Sequence, residues 1–357
     1  MRRYLWGCLM LSSCRWFVSG DPAELAPVRS DSVHRVVTCL FPTRCTDSLD
    51  VIAMGVSGYL FMAWRDTTRL AMTPPAFTNP SLTRVLLGDW WLGTSANTGR
   101  ITRRLASMPM VQRRLARVGP VLAEHGHYDH LMDLPPLMQR MPGARVYGSG
   151  TVANLLAGDP ALLGRTERVD TLAAVDTTTP GRWVDLAPWR FKAIDWEHAR
   201  NFPGVSYSPG EVKTPANGMP RTAAGWKRGR VLAYALDLVA ADSSTACRVF
   251  VHSAAASVQV VRRASDLLRH EAPARATLTI VSAANYDRVS GYPDTLLRRL
   301  TPRHVVLGHW EEFFRSPEKS WRRVRGIDGN ALRERVQAQV GNHWSALEPG
   351  AVLRVLC

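Results

Sequence analysis

The sequence predicts an α/β protein, and three observations support this fold class. Short apolar runs with the length of strands recur in both halves of the 357-residue chain. These runs alternate with segments in which apolar residues follow a helical period. The composition, with 46% hydrophobic and 21% charged residues, is ordinary for a globular protein with a sizeable core and excludes global disorder. Two β-rich halves with helices outside them fit a four-layer αββα sandwich.

The predicted strands are apolar runs separated by turn signals. In the first half they cover residues 51–64, 69–73, 118–123 and 144–147. In the second half they cover residues 191–196, 231–239, 248–252, 277–282, 304–307 and 352–356. Helical patterns are predicted at residues 101–117, 131–138, 151–157, 258–269 and 293–300. Residues 201–229 are rich in Gly, Pro and polar side chains and too long for a plain connector, which indicates a substrate loop.

The first 13 residues resemble a lipoprotein-type signal peptide. Two arginines are followed by a mostly apolar run over residues 4–11, and Leu11-Ser12-Ser13-Cys14 has the pattern of a bacterial lipobox. The apolar run is too short to span a bilayer. We therefore expect a periplasmic lipoprotein of the bacterial cell envelope, anchored to a membrane through lipidated Cys14. A misassigned start and a cytosolic apolar N-terminus are the alternatives. Residues 14–48 are then a linker and lead-in to one domain.

The net charge of +15 is unusual and comes almost entirely from arginine. Lysine occurs only at positions 192, 213, 227 and 319. The arginines are scattered in pairs, without a stripe of interleaved aromatic residues or a basic tail, so nucleic-acid binding is not expected. An affinity for anionic envelope surfaces or for anionic substrates explains the charge at least as well.

Four cysteines remain when those of the signal segment are set aside. Cys39 and Cys45 could close a small disulfide loop in an oxidising compartment. A pairing of Cys247 with Cys357 requires the terminal strand to lie near the strand at residues 248–252. The spacing of the four fits no zinc ribbon.

A cluster of metal-ligand residues follows the apolar run that ends at Ala123. Residues 124–130 contain three imidazoles and an Asp in addition to Glu124. Behind a buried strand, His125 and His127 lie two residues apart and point the same way. Neutral imidazoles and a carboxylate are the ligands that Zn²⁺ prefers in a catalytic site. One ion could bind to this His pair and a neighbouring ion to the Asp and His that follow. The alternative is a solvated His-rich loop.

The pattern His-x-His-x-Asp-His at residues 125–130 resembles the first motif of the metallo-β-lactamase superfamily. Residues 131–135 are similar to the branch that includes the N-acyl phosphatidylethanolamine phospholipase D-like envelope hydrolases. The resemblance implies a metallo-β-lactamase-like hydrolase domain at residues 49–357. It also implies two further ligands, His198 at a strand end and His309 in a Gly-His-Trp sequence.

What the resemblance implies is a metal-dependent hydrolase that uses a metal-bound hydroxide. Asp129 doubles as proton acceptor or donor. The cofactor is one or two Zn²⁺, with Mn²⁺ or Fe as alternatives. The implied ligands are His125, His127 and His198 for one ion and Asp129, His130 and His309 for the other. A phosphodiester or lipid-derived ester is the leading substrate class. A lactonase or amidase on the same site and a degenerate, non-catalytic envelope metal-binding protein are the alternatives.

One position departs from the superfamily pattern, which places a metal-bridging Asp at the end of a buried strand. In this chain the corresponding strand puts His252 or Ser253 there. We expect His252 to be one of the metal ligands. Imidazole cannot bridge two ions as a carboxylate does, so we expect the second ion to bind weakly. Asp237 is a competing candidate for the bridge, and we favour its interpretation as a plain strand residue.

Overall fold

The computed structural model describes residues 19–30, 32–37, 47–64, 66–87, 93–201 and 206–357. In that part of the chain two β-sheets lie face to face, and helices cover their outer surfaces. The proposed lipidation site Cys14 and the predicted loop between Cys39 and Cys45 lie outside the described residues. None of the helices in the described ranges has the length and apolar character needed to cross a bilayer.

The first sheet has eight strands in the spatial order β1-β15-β2-β3-β4-β5-β6-β7. The C-terminal strand therefore returns to the N-terminal sheet, parallel to β1 and antiparallel to β2. The strands are β1 (Val33–Val37), β2 (Ser48–Gly55), β3 (Gly58–Ala63), β4 (Leu70–Met72), β5 (Val118–Leu122), β6 (Arg145–Gly148), β7 (Thr166–Arg168) and β15 (Val352–Leu356).

The second sheet has seven strands in the order β14-β13-β12-β11-β10-β9-β8. Its strands from β8 to β11 are antiparallel neighbours, and those from β11 to β14 are parallel. The strands are β8 (Trp183–Leu186), β9 (Trp189–Trp196), β10 (Val231–Val239), β11 (Thr245–Val251), β12 (Ala274–Ser282), β13 (His304–Gly308) and β14 (Trp344–Ala346).

The helices connect these strands and lie outside the sheets. On the side of the first sheet they are α1 (Leu82–Leu87), α2 (Thr98–Ala106), α3 (Pro109–Gln112), α4 (Tyr128–Leu131), α5 (Leu134–Met138) and α6 (Gly150–Leu156). On the side of the second sheet they are α7 (Val258–His270), α8 (Asp294–Leu300) and α9 (Gly329–Val340).

Three apolar clusters separate the four layers. The central cluster lies between the sheets and joins Val51 and Phe61 of the first sheet to Phe191, Leu236 and Val249 of the second. Strands such as β2, β3 and β11 are buried along their whole length because both of their faces are covered.

The two outer clusters pack helices against the sheets. Ile101 and Leu105 of α2 contact the first sheet, and Val260 of α7 and Leu296 of α8 contact the second. These layers confirm the predicted four-layer αββα sandwich.

The structure corrects three details of the predicted elements. The run at residues 51–64 is a hairpin of β2 and β3 rather than one strand, and its turn contains Val56 with φ 56°. The helical pattern at residues 101–117 is interrupted, because Pro109 starts a new short helix. Within the segment interpreted as lead-in, β1 pairs with β15 and belongs to the first sheet.

A disulfide between Cys247 and Cys357 joins the two sheets, which is one of the pairings that the sequence left open. Cys247 lies on β11 and Cys357 follows β15, and their Cα atoms are 5.9 Å apart across a separation of 110 residues. The crosslink ties the C-terminal strand of one sheet to the middle of the other.

Candidate metal centre

The His-x-His-x-Asp-His sequence lies at the carboxyl end of β5, between the two sheets. Gly126 makes this turn possible, because a Cβ atom there would lie 2.1 Å from the carbonyl oxygen of Lys227. The backbone N–H of Gly126 donates to the carbonyl of Arg228 at 2.8 Å. The glycine thus holds the turn against the loop that precedes β10 and leaves His125 and His127 on one side.

The first group of ligand residues is His125, His127 and His198. Nε2 of His125 and Nδ1 of His127 are 3.0 Å apart. The ring of His198, which follows β9, lies 4.9 Å from that of His125 and 5.0 Å from that of His127. The three residues offer nitrogen atoms that all lie within 4.8 Å of one another, so one ion could reach all three.

Each imidazole of the first group has its second nitrogen fixed by a polar partner. Nε2 of His127 lies 3.0 Å from the carbonyl oxygen of Tyr207, and Nδ1 of His198 lies 2.6 Å from that of Ala199. Nδ1 of His125 lies 3.3 Å from Oγ of Ser253. Metal-binding histidines commonly use their other nitrogen in this way, which sets the tautomer and the ring orientation. The free nitrogens therefore face a common point.

The second group is Asp129, His130 and His309. Oδ2 of Asp129 lies 3.6 Å from Nε2 of His130 and 3.4 Å from Nε2 of His309. The rings of His125 and His130 have centroids 4.2 Å apart, so the two groups adjoin. Nδ1 of His130 and of His309 are buried and have no hydrogen-bond partner among the described residues. This group is thus less firmly oriented than the first.

The backbone of His309 is held in a left-handed conformation, with φ 52°. Its N–H donates to the carbonyl of Val56 at 3.1 Å, and Val56 itself has φ 56°. A left-handed conformation is unfavourable for a β-branched residue and is maintained where the surrounding structure fixes it, often at functional sites. The hairpin turn between β2 and β3 thus positions His309.

Burial keeps four imidazoles of the site neutral, those of His125, His127, His130 and His198. It lowers the pKa of His130 and of His198 to about 4. Burial, reinforced by the neighbouring imidazoles, also holds the pKa of His125 and His127 well below the ordinary value. Neutral imidazole is the form that binds a metal, so the site is ready for an ion at neutral pH.

Asp129 is ionised in this environment. Burial alone would raise the pKa of its carboxyl group, but the adjacent His130 and His309 outweigh that effect and bring the pKa well below the ordinary value. The carboxylate is therefore available as an anionic ligand over the whole neutral range.

The structure does not bring His252 to either group, which corrects its prediction as a ligand. Its ring packs against Trp196, Phe250 and Tyr292, and its Nδ1 lies 3.1 Å from the carbonyl oxygen of Ala254. Successive residues at a strand end point to opposite sides. His252 accordingly turns toward the outer layer of the second sheet, and the next residue faces the site.

The sequence offered His252 or Ser253 at the position of the bridging Asp, and Ser253 is the one that faces the site. It lines the pocket over the ligand groups and contacts His125 through Oγ. Asp237 is a strand residue, as we favoured, and its carboxylate is paired with Arg190 and Arg248 at distances of 2.7–3.1 Å. Neither Ser253 nor Asp237 supplies a carboxylate between the two groups.

Asp133 supports the site through the backbone of a neighbouring segment. Its buried carboxylate accepts hydrogen bonds from the N–H groups of Phe77 and Thr78 at 2.6 and 2.7 Å, and from the Thr78 hydroxyl. The helical turn that contains Asp129 and His130 is thereby attached to the loop after β4.

Two buried acidic residues lie beside the ligands, and no motif in the sequence identifies them. Glu124 precedes His125, and Glu311 follows His309 by two positions. Burial raises the pKa of each carboxyl group to about 8. Both carboxylate oxygens of Glu124 and one of Glu311 have no hydrogen-bond partner in the described ranges. Burial thus favours the uncharged form of both carboxyl groups.

The pocket that opens onto the ligand groups is lined by both apolar and polar side chains. The apolar ones include side chains of α1 and the aromatic pair Phe313 and Phe314. The polar ones include Asn201, Asn285 and Arg325, which sequence reasoning did not single out. Their positions in loops far apart in the sequence carry no local signal.

A comparison with solved structures found chains that are similar to this one. The metallo-β-lactamase fold protein YhfI from Bacillus subtilis is 12% identical, with a TM-score of 0.46 and coverage of 87% of this chain and 100% of that chain. Igni18, a metallo hydrolase from the hyperthermophilic archaeon Ignicoccus hospitalis, is 13% identical, with a TM-score of 0.46 and coverage of 86% and 98%. Unliganded yeast PDE1 is 10% identical, with a TM-score of 0.48 and coverage of 85% and 98%.

No family model matches the sequence, and no curated protein matches it. Two of these neighbours are described as a metallo-β-lactamase fold protein and a metallo hydrolase. The similarity to the phospholipase branch stays a prediction.

Proposed function

We propose that this protein is a metal-dependent hydrolase with two adjacent ions at the edge of the sandwich. His125, His127 and His198 would hold one ion. Asp129, His130 and His309 would hold the other. The main support is that two separate groups of three ligand residues adjoin at the carboxyl end of β5. Neutral imidazoles with one carboxylate fit Zn²⁺, and they also suit Fe or Mn²⁺.

Bound divalent ions would supply an activated water molecule and polarise the bond under attack. The residues of the chain orient the ligands and exclude bulk water. Ser253, Tyr207 and Ala199 fix the imidazoles of the first group. Asp129 faces the pocket, and its low pKa makes it a poor proton acceptor, so we assign it first as a ligand and only second as the group that moves a proton.

We further propose a phosphodiester or a lipid-derived ester as substrate. The pocket combines apolar side chains of α1 with the guanidinium group of Arg325. Arg325 is itself ion-paired with Glu312 at 2.9 Å, which fixes its position at the pocket mouth. Apolar side chains together with an oriented cation suit a substrate that carries both a hydrocarbon part and an anionic group.

The experiment compares the parent with His127→Ala. Metal content is measured by elemental analysis, and hydrolysis is screened on bis(p-nitrophenyl) phosphate, an ester and a lactone. His34→Ala is the matched control, because His34 is exposed on β1 and belongs to neither group. We expect His127→Ala to lose both stoichiometric metal and activity, while His34→Ala retains them.

A parent protein that holds metal but hydrolyses only the lactone would replace the substrate class and leave the site intact. A parent that holds no metal would favour the non-catalytic alternative.

The membrane anchor at Cys14 is a separate proposal and rests on the sequence alone. Cys14→Ser should abolish attached lipid, which mass spectrometry of the membrane-extracted protein detects. An unchanged mass and unchanged membrane association would argue against the lipobox.

A further inference from the structure

A groove lined mainly by cationic and hydroxyl side chains lies beside the pocket of the metal centre. The groove and the pocket share two lining residues, Phe314 and Arg325. The remaining basic side chains of the groove are Arg84, Arg100, Arg315 and Lys319. The two spaces are therefore neighbouring parts of one surface.

The positive charge of the groove is only partly neutralised within the described residues, where Arg325 is ion-paired with Glu312. Glu318, its one acidic lining residue, is ion-paired with Arg103 outside the groove. Arg100 and Arg315 donate only to backbone carbonyl groups and a serine hydroxyl. The exposed side chains of Arg84 and Lys319 make no hydrogen bond or ion pair in the described ranges. Unpaired cations grouped in a concave surface attract anions.

Helix α1 forms the wall between the pocket and the groove. Leu82, Val85 and Leu86 line the pocket, whereas Thr83 and Arg84 line the groove. Leu86 is 47% exposed, a high value for a large apolar side chain. An apolar edge next to a cationic groove is typical of surfaces that contact lipid, where hydrocarbon and headgroup meet.

The N-terminal side of the chain also leads to this groove. Ser19, the first described residue, lines it. Cys14 is five positions earlier in the sequence, and five extended residues span at most about 17 Å. A lipid attached to Cys14 would therefore keep the groove close to the membrane that carries it.

We propose that the cationic groove binds the phosphate headgroups of an anionic phospholipid surface. In this arrangement the mouth of the metal pocket faces the membrane. Arg84 and Lys319 contact headgroups, and Leu86 contacts the acyl region. The proposed binding depends on the charges of the groove and does not require hydrolysis. It shares with the proposed function the expectation of an anchor at Cys14.

The test uses the full chain and measures co-sedimentation with two kinds of vesicle. One consists of phosphatidylcholine, and in the other roughly a third of the lipid is phosphatidylglycerol. Arg84→Gln/Lys319→Gln is compared with Arg113→Gln/Arg298→Gln. The control pair loses the same charge from exposed side chains that do not line the groove. Every variant keeps the same N-terminus, so any contribution of the anchor is common to all.

We expect binding of the parent to rise with phosphatidylglycerol, and we expect the groove variant to lose about tenfold in partition to those vesicles. The control should lose less than about twofold, as a charge outside the contact adds little. Equal partition of the two double variants would overturn the proposal. So would a groove variant that loses affinity for a mixed-sequence RNA while its binding to vesicles is unchanged.

Metal content and hydrolysis of bis(p-nitrophenyl) phosphate in solution should be the same in the groove variant and the parent, because Arg84 and Lys319 contact neither ligand group. A failure of the membrane surface is thus distinguished from a failure of the metal centre. If the double variant does not fold, Lys319→Glu alone reverses the charge of one exposed side chain. It should lower partition to the anionic vesicles, and unchanged partition would again overturn the proposal.

Discussion

His252→Leu should remove about 2 kcal/mol of the acid sensitivity of the fold without affecting metal binding. Burial lowers the pKa of His252 to about 3, whereas an unfolded chain has the ordinary value of about 6.5. Between these values the unfolded state binds a proton and the folded state does not. The free energy of unfolding therefore decreases as the pH falls from about 6.5 toward 3.

The magnitude follows from the separation of the two pKa values. At pH 5 the unfolded imidazole is mostly protonated, and this linkage costs the parent about 2 kcal/mol relative to pH 7.5. Leucine carries no such group. It also leaves the carbonyl of Ala254 bonded, because Nε1 of Trp196 donates to it at 2.8 Å. The substitution should accordingly change stability at pH 7.5 by no more than about 1 kcal/mol.

The assay is urea unfolding of the metal-free parent and of His252→Leu at both pH values. The other buried histidines titrate in both proteins, so their contributions cancel in the comparison. We expect the loss of stability between pH 7.5 and 5 to be smaller in the variant by about 2 kcal/mol. An identical loss in the two proteins, or a loss of stoichiometric metal in His252→Leu, would refute the placement of this side chain away from the site.

Two further substitutions test neighbouring residues. Ser253→Asp should place a carboxylate beside Nδ1 of His125 and raise affinity for the ion of the first group by about tenfold, measured by competition with a chelating dye, since an anionic acceptor makes the imidazole a stronger ligand. No change in affinity would show that Ser253 does not orient His125. Asp133→Asn should lower the free energy of unfolding by about 2 kcal/mol, because the amide nitrogen cannot accept the hydrogen bond that the Thr78 hydroxyl donates to the second carboxylate oxygen. An unchanged urea midpoint would contradict that role.

The sequence predicted those ligand residues that lie close together along the chain. His125 and His127 share a side because they follow a buried strand, and Asp129 and His130 follow on the next turn. His198 was recognisable at a strand end only through the resemblance to a family. These residues lie where the motif placed them, and the two groups of three that it implied are the groups that adjoin in the structure.

What could not be predicted depends on contacts between distant segments. The sequence left both His252 and Ser253 as candidates for the residue that faces the site. Successive side chains at a strand end point to opposite sides, so a shift of one residue changes which of the two faces the site. The hairpin turn at Val56, which positions His309, is hidden within one long apolar run. Glu124 is buried by other layers of the fold, and the sequence does not indicate which segments cover it.

The edge strands of both sheets, β1, β7, β8 and β14, were not predicted. The edge strand β1 pairs with a strand more than 300 residues later, and its own five residues contain two polar side chains. Nothing in that short segment distinguishes it from a linker. The predicted strands of the second sheet, β9 to β13, are the longer apolar runs in its interior.

The most direct test of the two-ion centre is the metal content per chain of the parent, His198→Ala and His309→Ala, measured by elemental mass spectrometry after gel filtration. The parent should hold two ions. His309→Ala should retain the ion of the first group, because all three of those imidazoles keep their polar partners, and lose the second. His198→Ala should lose the ion of the first group. Equal metal content in all three proteins, or a parent that binds none, would contradict the proposed centre.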